Sequence, residues 1–148
     1  MDAYIVIGNP NTRKSSLVRC LTGCFNRSLR DIQPVGGRAV LRLYARVGSL
    51  QDTRTRPEDF VTEAARSRCS AVLFCLAPSH NPQQADLYPD ALGYLAHFEA
   101  AGWRLRSIAV LGQNAGGVRS PLLRQFPLAT TAPINVTAQA VRAHFGWD

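Results

Sequence analysis

Gly8-Asn9-Pro10-Asn11-Thr12-Arg13-Lys14-Ser15-Ser16 follows the apolar run Tyr4-Ile5-Val6-Ile7 and precedes a helical-looking segment from Leu17 to Gly23. Strand, tight loop and helix in that order suit a loop that cradles phosphate. The N–H groups at a helix N-terminus converge on an anion and the helix dipole favours it. The consensus for such a loop, the Walker A pattern, is Gly, four residues, Gly, Lys, then Ser or Thr. Gly8, Lys14 and Ser15 occupy their places, and Arg13 stands where the second Gly belongs. A glycine there serves unusual backbone dihedrals and close approach of backbone to phosphate. A side chain at Arg13 is therefore expected to obstruct the site or re-route the loop. The competing expectation is that its guanidinium turns inward and pairs with phosphate itself.

Composition sharpens the motif. Of 17 basic residues only one is Lys, and it is Lys14. A compact ammonium on a flexible stem can lie along such a loop, whereas a planar guanidinium is bulkier. The formal charge is +7, with 12 of the 17 basic side chains in residues 1–68. Those arginines are dispersed, which reads as a solvated surface rather than a nucleic-acid footprint.

The 148 residues suit one domain, residues 1–148. No apolar run approaches a membrane span and no secretory signal is visible, so a cytoplasmic protein without membrane insertion is expected. The four cysteines, at 20, 24, 69 and 75, form no Cys-x-x-Cys pair. They read as thiols in a reducing compartment, with zinc the weaker alternative. His80, His97 and His144 are scattered and receive no ligand role.

Outward from the loop, Ala3 to Ile7 reads as a buried strand. Leu29 to Val35 and Arg38 to Val47 read as a hairpin turning at Gly36-Gly37, with Pro34 confining the first run to an edge. Pro57 opens a helix running to about Arg68. Ala71 to Leu76 and Ile108 to Leu111 read as buried strands, and a long helix is expected over residues 82–101. A short helix around Pro121 to Gln125, a last strand at Ile134-Asn135-Val136 and a closing helix over about 139–146 complete the reading. The sum is an α/β, doubly wound fold of six strands, parallel except for one antiparallel edge strand, with about five helices.

At this point the sequence resembles the small phosphate-loop GTPases, in particular the Era-like and ferrous-iron-transporter G domains. Their opening Gly-Asn-Pro-Asn-x-Gly-Lys-Ser/Thr, then Leu and Leu-Thr-Gly, is met by Gly8-Asn9-Pro10-Asn11, Lys14-Ser15, Leu17 and Leu21-Thr22-Gly23. The resemblance implies a P-loop NTPase fold of the small G-domain kind. It implies phosphate contacts from Gly8, Asn11, Lys14, Ser15 and Ser16, and a magnesium ligand in Ser15. It also implies a base-side segment at Thr137-Ala138-Gln139, similar to the family's Ser-Ala-Lys.

The remaining motifs depart. Where the family has Asp-x-x-Gly to hold magnesium, this chain has Ala45-Arg46-Val47-Gly48, and Asp52 comes seven residues late. Residues 24–35 hold no Thr for the metal, and Gln113-Asn114-Ala115-Gly116 offers no carboxylate to read guanine. The expectation is thus a degenerate GTPase-like domain, a pseudo-GTPase. It would bind nucleotide weakly or not at all and act mainly through a protein partner, without hydrolysis. The alternative is a working nucleoside triphosphatase with altered base choice. GTP, GDP or another nucleotide with magnesium would be the cofactor, or none.

Overall fold

A computed structural model describes residues 1–22, 29–32 and 41–147. The hairpin turn expected at Gly36-Gly37 lies outside them, as does Cys24. The elements are β1 (Asp2–Gly8), α1 (Lys14–Thr22), β2 (Leu29–Ile32), β3 (Leu41–Ser49), α2 (Pro57–Ser67), β4 (Ala71–Leu76), α3 (Ala91–Ala100), β5 (Arg104–Leu111), β6 (Leu123–Phe126) and α4 (Ile134–Phe145). The sheet order is β2-β3-β4-β1-β5-β6. From β3 to β6 every neighbouring pair is parallel, and β2 pairs antiparallel with β3, Leu29 opposite Tyr44.

The central strands are apolar on both faces because helices cover both, the usual condition of a parallel sheet. Period-two alternation sorts their side chains. Tyr4, Val6, Leu73, Ala109 and Leu111 join Leu17, Leu21, Val141 and Phe145 under α1 and α4. Ile5, Ile7, Phe74, Leu76, Ile108 and Val110 join Phe60, Tyr94 and Phe98 under α2 and α3. The second layer is dense in rings: Phe98 stacks on Trp103 at 4.5 Å, and Phe74 meets Phe60 edge-on at 5.1 Å. Such pairs contribute about 0.5–1.5 kcal/mol each beyond the area they bury.

Three expectations are corrected. The helix expected over 82–101 begins only at Ala91. Pro89 excludes Tyr88 from helical dihedrals, and Asp90 caps the helix by accepting from Gly93 N–H at 2.9 Å. Residues 82–90 make turns instead. The short helix expected at Pro121–Gln125 is replaced by β6, which adds to β5 with Phe126 beside Leu111. The strand expected at Ile134-Asn135-Val136 is the first turn of α4, and Pro133 is its N-cap. Thr137, Ala138, Val141 and Phe145 then face inward at helical spacing while Val136 is left outside. The helices therefore number four among the described residues, not five. None of them is long and apolar enough to cross a membrane.

The topology singles out one place. From β1 the chain leaves by α1 toward β2 and β3; from the neighbouring β4 it leaves by α3, on the opposite face, toward β5. Adjacent strands whose connections diverge to opposite faces open a crevice at their carboxyl ends, the place where open α/β sheets take ligands.

Candidate functional site

The loop of residues 8–16 sits at that crevice. Its backbone turns on two left-handed residues, Asn11 (φ 65°) and Arg13 (φ 71°). Asn tolerates this region, but an Arg there costs about 1–2 kcal/mol. Thr12 closes the turn, donating to Asn9 O from its hydroxyl at 2.6 Å. A Cβ on Gly8 would lie 2.4 Å from that same hydroxyl oxygen, so only glycine fits under the loop.

Lys14 runs back along the loop, donating from Nζ to Gly8 O at 2.6 Å and Asn9 O at 2.9 Å. It is 93 % buried by side-chain packing and neighbouring backbone, being only 7 % exposed. Burial lowers its pKa from 10.5, while Cys75 and Asp52 pull it the other way. The thiol of Cys75, on the neighbouring β4, is pushed up to about 12 by its own burial, with Lys14 opposing. The carbonyls of Gly8 and Asn9 accept the ammonium's hydrogen bonds.

Arg13 lines the space in front of the loop from a left-handed backbone. Its Nη1 donates sideways to Ala132 O at 2.9 Å, in the connection between β6 and α4. A second tie runs the same way, from Asn114 Nδ2 to Asn9 Oδ1 at 3.3 Å. Pro10, Asn11, Arg13, Lys14, Ser15, Ser16, Gly48, Ser49 and Asp52 together line a cavity of about 270 Å³. The structure thus brings Asn11, Arg13, Lys14, Ser15 and Ser16 to one cavity, with Gly8 beneath it. It does not bring Thr137 and Ala138 to a loop. Both are buried within α4, and the strand-to-helix connection is residues 127–133.

Asp52 is the residue that sequence reasoning set aside. β4 lies between β3 and β1, so the end of β3 is two strands, roughly 10 Å, from the end of β1. The chain recrosses that gap. Pairing shifts register between Ala45 and Ser49, and Leu50 N–H reaches Cys75 O at 3.0 Å. Ser49 Oγ then accepts from Asp52 N–H at 3.1 Å, turning residues 49–54 back over β4. Gln51 locks the turn. Its amide donates to Ala77 O (2.8 Å) and Pro89 O (3.2 Å) and accepts from Ala77 N–H (2.9 Å). Outside, Glu63 receives Tyr44 Oη at 2.7 Å and the Arg46 guanidinium, which also reaches Thr53 and Thr55. Asp52 consequently faces the loop with its carboxylate exposed and without a hydrogen bond or ion pair among the described residues. The one signal in the sequence was the polar run Ser49-Leu50-Gln51-Asp52-Thr53, whose three-residue spacing of Ser49 and Asp52 permits a serine turn.

Among the described residues no three His, Cys, Asp or Glu side chains converge as a metal-binding group. His144 is structural, its Nε2 lying 2.9 Å from Ile108 O and 3.0 Å from Leu122 O. With this geometry the domain is of the open α/β class, with its loops gathered at a switch point. No family model, curated protein or solved structure matches the chain.

Proposed function

We propose that this is a degenerate GTPase-like phosphate-loop domain that holds nucleotide weakly or not at all and acts mainly through protein contacts. The observation that carries the reading is Arg13, tied to Ala132 O across the flank where the resemblance would lay a guanine base. A base entering there must first displace a charge-assisted bond. The phosphate side is better preserved. Lys14 lies along the loop, and its partners are carbonyls from which it can turn to an anion.

A second reading, a nucleoside triphosphate-binding protein with altered base choice, is favoured by the arrival of Asp52. Magnesium takes oxygen ligands, often one or two from protein with water and phosphate oxygens completing the set. Ser15 and Asp52 line one cavity and fit that demand. They would hold a magnesium that neutralises phosphate charge, while Lys14 holds the phosphoryl oxygens.

Calorimetric titration with GTP, GDP, ATP and ADP, with and without magnesium, separates the readings. Weak or absent binding and no turnover are expected. Micromolar affinity favours the second reading, and steady-state hydrolysis abolished by Lys14→Ala overturns the first.

A further inference from the structure

Among the described residues, the loop is closed on only one of its two flanks. Toward β5 and β6 it is bound by Arg13 to Ala132 and by Asn9 to Asn114. Toward β4 it opens onto a second cavity of about 370 Å³, lined by Asn9, Pro10, Gln51, Asp52, Ala77, Pro78, Ser79, His80, Asn81 and Pro82. Pro10 and Asp52 line this cavity and the phosphate-side cavity alike, so the two adjoin. Its volume falls within the range of small-ligand sites, roughly 300–1,000 Å³.

We infer that this second cavity is a subsite for the non-phosphate part of a ligand seated at the loop, and that the ligand is a phosphate ester of a compact polyhydroxyl group such as a pentose. The inference rests on the reading that residues 8–16 grip phosphoryl oxygens. The walls give the chemistry. Pro10, Ala77 and Pro78 supply apolar surface that suits the carbon face of a sugar ring. Asp52, whose carboxylate has no hydrogen bond or ion pair among the described residues, accepts hydroxyl protons. Ser79 and His80 bring further polar side chains to the rim, while the Asn81 amide is held by Gln51 O and Gln83 N–H. Gln51 takes no part, because its amide is committed to Ala77 and Pro89.

The test is titration calorimetry on the full chain with two probes, pyrophosphate for the loop alone and ribose 5-phosphate for loop plus cavity. Ser79→Trp, at an exposed bend, puts bulk into the cavity; Thr131→Trp puts equal bulk on the closed flank. Ser79→Trp is expected to weaken ribose 5-phosphate about tenfold or more and pyrophosphate by less than about twofold, with Thr131→Trp changing neither. The subsite is overturned if Ser79→Trp leaves ribose 5-phosphate unaffected, if Thr131→Trp is the variant that weakens it, or if pyrophosphate binds and ribose 5-phosphate does not. Absence of pyrophosphate binding by the unaltered chain removes the phosphate grip itself, and the subsite with it.

Discussion

On the β5–β6 flank the loop at residues 8–16 is held by its own side chains, Arg13 on Ala132 and Asn9 on Asn114. On the β3–β4 flank the neighbouring loops are held to one another, through Gln51, and among the described residues no hydrogen bond ties them to residues 8–16. The first arrangement couples the loop to its surroundings. The second builds a rigid wall beside it. Substitutions on the two flanks should therefore fail in different currencies: affinity on the first, stability on the second.

The largest effect is expected at Gln51. Gln51→Ala leaves the buried N–H and C=O of Ala77 without partners, a cost of about 2–4 kcal/mol. Urea denaturation measures it, and a loss under 1 kcal/mol would mean water or a shifted backbone replaces the amide. Arg13→Gly comes next. It removes left-handed strain and the bond to Ala132 together, each on the order of 1 kcal/mol, so stability should barely move. Affinity for pyrophosphate should rise about tenfold as backbone N–H groups become approachable. Unchanged affinity would show that Arg13 does not restrict the loop.

Tyr44 sharpens the comparison through pH. Burial first, then the bond to Glu63, raises its pKa from 10.0 to about 12. A phenol with a raised native pKa stabilises the fold below pH 10, and that contribution is lost as pH climbs toward 12. Alkaline unfolding followed by circular dichroism should thus be less steep between those values in Tyr44→Phe. The smallest effect is expected at Asn9→Ala, within about 0.5 kcal/mol, since its side-chain bond with Asn114 is long and exposed. A larger loss would make that bond, rather than Arg13, the principal closure of its flank.

The contrast between flanks also marks what the sequence disclosed. β1, β4 and the second half of β5 were legible because strands buried on both faces read as unbroken apolar runs, whereas residues 104–107 of β5 carry no such run; α2 was legible because Pro57 signals a first turn. Lys14 was legible because it is alone of its kind. The C-terminal third misled. Ile134-Asn135-Val136 alternates like a strand, yet Pro133 and the inward spacing of Ala138, Val141 and Phe145 make it helical. β6 is short and mostly exposed, so it carries little periodicity. Asp52 was hidden for another reason. Its place depends on β4 lying between β3 and β1 and on a register shift, both long-range facts that no local pattern encodes.

Gln51 has one more consequence. The excursion between Ala77 and Pro89 has both its feet planted on a single amide. Within it Asn81 donates to Gln51 O and Tyr88 is buried, but residues 83–87 are exposed, and lengthening a closed loop costs only about 0.6 kcal/mol per doubling. Residues 83–87 are therefore the natural place to graft a foreign segment, a detachable panel whose exchange would leave the frame standing.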